Sequence, residues 1–242
     1  MSIDKDISDE VTRIRDANWN KRIGTKVPTP DDITLSNGAV EVDATYLYTD
    51  MANSSHMAKA LDRRVTAKIL KSFLATSSRL IRHFGGTIMS FDGDRVMGAF
   101  MGDSKNTSSI KCSFAIAYAV TKLIRPEFEK KYQSVRDADF KIRHATGVDT
   151  GTVFVVRGGI YGSNDLISIG KPPNLAAKLS DLREGDYTTF ATKSVYHQTN
   201  ECLKKRLNGT TGIWEERSWS YCGESITIFR SAYWRKPGAN RA

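Results

Sequence analysis

The sequence predicts an α+β fold on the ferredoxin-like split βαβ plan. Two observations carry this. Runs of β-branched and aromatic residues alternate with two long stretches whose apolar residues recur at helical spacing. Their order is β-α-β-β-α-β, which lays two helices on one face of an antiparallel sheet. That plan hosts many unrelated functions, so function has to be read from the site.

The elements follow in order. Residues 1–40 form a polar lead-in, with a short helix expected around Ile7–Asn18 and a linker rich in Pro, Gly and Asx up to residue 39. A compact domain spans 41–234, and a basic tail follows over 235–242. Val42–Asp50 reads as a strand, and Met51–Ser55 as a loop of small polar residues at its end. Met57, Leu61, Val65, Ile69 and Phe73 recur every four residues, which predicts one long helix from about His56 to Phe84, stopped by Gly85-Gly86. Thr87–Phe91 and Val96–Met101 flank Asp92-Gly93-Asp94 and predict a hairpin. A second helix fits Thr107–Tyr132, with Pro126 ending or kinking it. Phe140–Val148 and Val153–Arg157 flank Asp149-Thr150-Gly151-Thr152 as another expected hairpin. Pro172 and Pro173 open a third helix through Asn174, Lys178 and Leu182, and a last helix is expected over Ser194–Arg206.

Composition excludes several classes. At 242 residues, 40% apolar and 26% charged, the chain is neither disordered nor long enough for many domains. No apolar run approaches the ~20 residues of a membrane span. The acidic, polar start is unlike a secretory signal or transit peptide. Three cysteines, none in a CxxC pair, argue against a disulfide framework or a cysteine zinc site and place the chain in the cytoplasm. The net charge of +9 implies an anionic partner, such as a nucleic acid or a phosphorylated small molecule. His56–Phe84 holds seven Lys/Arg against the single acid Asp62. No dense basic arm and no RNP-like aromatic motif accompanies it.

Two acids stand out. Asp50 ends the first predicted strand, and Asp94 lies at the turn of the first hairpin. On the split βαβ plan these strands are neighbours, so the two carboxylates meet at one sheet edge. Adjacent like charges call for a cation, and hard Mg²⁺ or Mn²⁺ prefers such oxygens. Two such ions suit phosphoryl transfer. The loop Met51-Ala52-Asn53-Ser54-Ser55 leads into the basic helix, whose N-terminus suits a triphosphate, with Ser54 as a contact. The plainer reading of Asp92-Gly93-Asp94, a hairpin tip and nothing more, stands beside this one.

Four motifs give a resemblance to the class III nucleotidyl cyclases, running from about Tyr46 to Leu182. Tyr48-Thr49-Asp50-Met51 resembles the segment that carries the family's first metal aspartate. Gly93-Asp94-Arg95-Val96-Met97-Gly98-Ala99-Phe100 resembles the one that carries its second. Gly147-Val148-Asp149-Thr150-Gly151 is similar to a Gly-Ile-His-x-Gly turn. Ile169-Gly170-Lys171-Pro172-Pro173-Asn174-Leu175-Ala176-Ala177-Lys178 is similar to the family's Asn-x-Ala-x-Arg segment. The resemblance implies a class III cyclase catalytic domain working as a homodimer, with active sites at the interface. One subunit gives Asp50, Asp94 and the Met51 carbonyl to two divalent ions. The other gives Asn174 and, in place of an arginine, Lys178. Lysine lacks the bidentate fork of arginine.

The residues that read a purine base in this family are missing: their positions hold Ser90 and Ile167. With the lead-in and the short core, this looks like the Pycsar pyrimidine cyclases of bacterial anti-phage defence. That group makes cyclic UMP or cyclic CMP for a separate cyclic-nucleotide-binding effector. A hydroxyl at Ser90 both donates and accepts, so the base stays open between UTP, which is favoured, and CTP. Tyr46 and Tyr48 share a strand face and either wall the pocket or pack in the core. Arg95 either reaches phosphate or points to solvent. Arg157, Lys171 and Arg183 are triphosphate candidates or plain surface charge. The rival from another class is a basic RNA-binding module on the same plan, with no need for Asp94.

Overall fold

Fourteen consecutive residues, Gly38–Met51, make the central strand β2, after a short strand β1 (Asn20–Ile23). In the computed structural model, which describes residues 2–207 and 209–238, the chain forms two units: 1–43 with 152–170, and 44–151 with 171–242. Of the basic tail 235–242, residues 239–242 lie outside the described residues.

The larger unit carries the predicted plan. The hairpin strands β3 (Thr87–Asp92) and β4 (Arg95–Phe100) turn at Gly93, whose φ of +59° suits glycine. Strand β4 pairs antiparallel with β2, Asp50 opposite Arg95 and Tyr46 opposite Ala99. On the other side of β2 runs β5 (His144–Ile160). Hydroxyl pairs Thr45–Thr150 (2.9 Å) and Thr49–Thr146 (3.0 Å) show that these two strands are antiparallel. The order β3-β4-β2-β5 is that of the split βαβ plan. Strand β7 (Thr189–Thr192) adds to β5 in parallel, and β9 (Glu224–Ser231) and β8 (Glu215–Tyr221) complete the row.

The predicted first helix is two helices, α2 (Ser54–Ala60) and α3 (Arg63–His83). Asp62 takes extended backbone, and its carboxylate accepts the Arg64 N–H at 2.8 Å. Aspartate is a better N-cap than a helix interior residue, so the chain restarts there although Leu61 continues the buried stripe. The second helix runs as α4 (Lys105–Tyr118), a π-helical segment Ala119–Ile124 and α5 (Arg125–Lys131). Pro126 neither ends nor interrupts it, because the wide turn just before the proline absorbs the break. A short helix, α6 (Gln133–Arg136), follows. Helices α3 and α4 cover the sheet face bearing Leu47 and Met51, with Ile69, Phe73, Ile81, Ile110 and Phe114 in the core.

The hairpin expected at Asp149–Thr152 is absent; β5 passes straight through. These turn-forming residues are engaged sideways instead: Thr150 bonds Thr45, and Asp149 accepts from Thr192 Oγ1 at 2.6 Å. Helix α7 (Lys171–Ser180) starts at the predicted prolines. It crosses the face opposite α3 and α4, with Leu175 and Leu179 against Ala145, Phe190 and Ile228. The last predicted helix shrinks to α8 (Lys193–Gln198) and a 3₁₀ turn at Glu201–Leu203, capped by Asn200.

In the smaller unit the lead-in helix, α1, spans Ile3–Asp16, beginning four residues before the predicted start. Strand β1 runs parallel to the first residues of β2. The second half of β5 turns at Gly162 (φ +79°) into β6 (Ser163–Ile169), which it pairs antiparallel. The ring of Trp19 meets Phe154 edge-on at 5.5 Å.

Helix α7 approaches β5 where Gly147 has no side chain. A Cβ there meets the Ala176 carbonyl oxygen at 2.1 Å and Ser180 N at 2.6 Å. Backbone on both sides leaves no cheap relief, so Gly147→Ala is expected to cost about 2 kcal/mol or more. Urea denaturation checks this; a variant as stable as the parent places the helix elsewhere.

Candidate active site

Alternation along β2 sends Leu47 and Met51 to the core under α3 and α4, and Tyr46, Tyr48 and Asp50 to the opposite face. The pairing register adds Met97 and Arg95 from β4, and Ser90 and Asp92 from β3, to that same face. The chain leaving α7 brings Asp181 and Arg183 to it. A carboxylate, two guanidiniums and a Tyr–Ser pair thus share one end of the sheet.

Asp50 is 5% exposed, yet it carries charged partners on both oxygens. Arg183 Nη2 binds Oδ2, and Arg95 Nε stands 3.4 Å from Oδ1. Arg95 also reaches Asp181 through Nη2 at 2.9 Å, which ties the strand to the segment after α7. Burial pushes the Asp50 carboxyl above the usual carboxylate range, and the nearby charge of Asp94 pushes the same way. Arg183 and Arg95 pull it back in part. The two predicted aspartates are therefore electrostatic neighbours, with Asp94 half-buried at the hairpin tip.

The oxygen donors suit a hard divalent cation. The charge of Asp94 at the hairpin tip raises the cost of ionising Asp50 at the strand end, which a divalent cation beside two guanidiniums would offset. Among the described residues, no group of three or more His, Cys, Asp or Glu side chains is placed to hold a metal. Further ligands must come from backbone oxygen, such as Met51 at the end of β2, or from a bound phosphate.

The other expected residues are distributed as follows. Tyr46 is 1% exposed and belongs to the core. Tyr48 is half-buried with its hydroxyl bonded to Ser90, and burial holds its pKa above the ordinary tyrosine value. Ser54 is the first residue of α2, after Asn53 in a left-handed conformation. Asn174 and Lys178 lie one turn apart on the exposed side of α7, while Leu175 and Leu179 bury the other. Ile167 is half-exposed on β6, in the smaller unit. Arg95 turns to Asp50 and Asp181, not to solvent. Arg183, read as a triphosphate contact or surface charge, is an Asp50 partner, and Asp181 was missed. Neither carries a local signal: both follow a helix end, and each pairs with a residue far away in sequence, Arg183 with Asp50 and Asp181 with Arg95.

No protein-family model matches the chain. A curated uridylate cyclase of Rhodovulum sp. (strain MB263) is 78% identical over 240 residues, covering 99% of this chain and all of the relative. The chain belongs to the uridylate cyclase family. A second member, from Xanthomonas perforans, is 36% identical over 235 residues, covering 95% of this chain and 98% of its own. The adenylyl cyclase CyaB from P. aeruginosa shares the fold, with a TM-score of 0.64 at 18% identity over 80% of this chain and 95% of its own. The class III cyclase fold expected from the four motifs is thereby borne out. In this uridylate cyclase family member, no helix among the described residues is long and apolar enough to cross a membrane.

The raised pKa of Asp50 has a thermodynamic consequence. The fold favours the neutral carboxyl, so the stability that Asp50 contributes is full below the ordinary value of 3.8 and is lost as pH rises through the raised value. Asp50→Asn keeps that neutral form at every pH. In metal-free buffer its melting temperature is expected to exceed the parent's at pH 7, with the difference vanishing below about pH 4. A variant less stable at pH 7 overturns this electrostatic assignment.

Proposed function

We propose that the chain converts UTP to 3′,5′-cyclic UMP and pyrophosphate. The carrying observation is that the charge of Asp94 acts on Asp50 at one end of the sheet, in a chain 78% identical to a protein named uridylate cyclase. Asp50, Asp94 and the Met51 carbonyl hold the divalent ions, Mg²⁺ or Mn²⁺. When bound, those ions neutralise the triphosphate and favour attack of the ribose 3′-OH on the α-phosphate. Arg183 and Arg95 keep the Asp50 carboxylate in place and lend positive charge beside the phosphates.

Tyr48 and Ser90 form the base-facing wall. A hydroxyl pair can donate or accept, which suits the carbonyl edge of uracil and leaves CTP as the competing substrate. Ser54 contacts phosphate at the start of α2. Tyr46 supports Tyr48 from the core, and Ile167 is a further substrate-binding residue.

Asn174 and Lys178 complete the site of a second copy. Both lie on the exposed side of α7, which is where groups that serve a partner subunit must stand. The enzyme is accordingly a homodimer of catalytic domains, 41–234, flanked by the lead-in and the basic tail. It acts in the cytoplasm, and its product serves a separate effector in anti-phage defence.

Incubation with each of the four NTPs and Mn²⁺, with products identified by mass, is expected to give cyclic UMP as the major cyclic product. Asp50→Ala and Asp94→Ala are expected to abolish it with the fold intact by circular dichroism. Cyclic AMP as the major product, or near-normal turnover by either variant, refutes the reading. The shared site has its own test. Equal amounts of Asp50→Ala and Lys178→Ala subunits, allowed to exchange, are expected to recover about a quarter of parental activity, because half the dimers then hold one intact site. No recovery means that both residues serve the same site.

A further inference from the structure

Helix α1 is fourteen residues long and buries none of them. Ile3, Ile7, Val11 and Ile14 nevertheless recur at spacings of four, four and three, forming one apolar stripe with each side chain more than half exposed. A single helix of this length is marginal in water unless its apolar face is covered. Exposure is concentrated in this part of the chain. Ten of the fourteen exposed large apolar side chains among the described residues lie in 2–43 and 152–170, about a quarter of the sequence.

The charges beside the stripe indicate what covers it. Asp4 and Arg15 lie eleven residues apart, about three turns, and so share one flank. Asp6 and Arg13, seven apart or about two turns, share the other. Of these four, the acids sit in the first turn and the bases in the last; Lys5, Asp9 and Asp16 lie on the far side of the helix, and Glu10, on the second flank, is paired with Arg13. When two such helices pair antiparallel, each flank meets the same flank of its partner. One register then sets Asp4 against the second copy's arginine 15 and Asp6 against its arginine 13. In that register the two apolar stripes interleave: Ile7, Val11 and Ile14 each fall between two apolar side chains of the other helix, and Ile3 closes the end. Parallel pairing sets acid against acid and base against base. The intrahelical pairs Arg13–Glu10 and Arg15–Asp16 are exposed and weak competitors.

We propose that α1 is a self-association element, pairing antiparallel with α1 of a second copy of this chain. This rests on the homodimer reading above and names a surface outside the shared active site. The stripe is self-complementary in both charge and shape, as a twofold contact requires.

The test uses the full chain. Sedimentation velocity is expected to show that Ile7→Asp with Val11→Asp raises the dimer dissociation constant about tenfold or more. A parent that is monomeric at every concentration refutes the homodimer and the pairing together. A dimer unchanged by the double variant refutes the pairing alone. Orientation is read by oxidative cross-linking in a Cys202→Ser, Cys222→Ser background. Asp4→Cys mixed with Arg15→Cys is expected to cross-link far faster than either alone. Faster linking within one variant, or equal rates, overturns the antiparallel arrangement even where the double variant fails to fold. Sedimentation of the parent with phosphatidylcholine–phosphatidylglycerol vesicles, lost in the double variant, assigns the stripe to a membrane and overturns it as well.

Discussion

A buried carboxylate held between two guanidiniums organises one end of this protein. Asp50 sits at the end of the central strand, where alternation aims it away from the main core. Burial favours its neutral form, and the charge of Asp94 adds to that pressure. Arg183 and Arg95 oppose it. The site is thus a place where the fold tolerates negative charge at a cost, which is the condition under which a divalent cation is attracted. Arg95, bridging Asp50 and Asp181, couples the strand to the end of α7.

The same interaction explains why α7 must lie where it does. Gly147 lets the helix backbone reach β5, and the chain that leaves the helix then delivers Asp181 and Arg183 to the sheet face. A glycine in one motif and a pair of charged residues beyond another serve one arrangement. Exposing Asn174 and Lys178 on the far side of that helix follows from burying Leu175 and Leu179 on the near side, since these pairs alternate around the same turns.

Much of this was legible in the residues. Apolar spacing located α3 and α4, the Asp-Gly turn located the β3–β4 hairpin, and the paired prolines located α7. The strand assignments brought Asp50 and Asp94 together before any coordinates. The misreadings share a cause: residues with two local uses. Asp62 suited a helix surface but capped a new helix, and Asp149-Thr150-Gly151 carried turn chemistry but spent it on cross-strand hydrogen bonds. Of the two readings of Pro126, a stop or a kink, the stop is excluded, because a π-helical segment runs into the turn that carries the proline.

By itself, then, the sequence determined the α+β plan, the order of its elements and the carboxylate couple, because hydrophobic period, turn residues and strand alternation act over short distances. Only the tertiary structure decided which cations answer Asp50, that Asp181 belongs to the network and that β5 is unbroken. Those outcomes depend on contacts between residues far apart in sequence, Arg183 with Asp50 and Thr150 with Thr45 more than a hundred positions apart. No local pattern encodes such a contact; it exists once the sheet register and the crossing of α7 have set the two segments side by side.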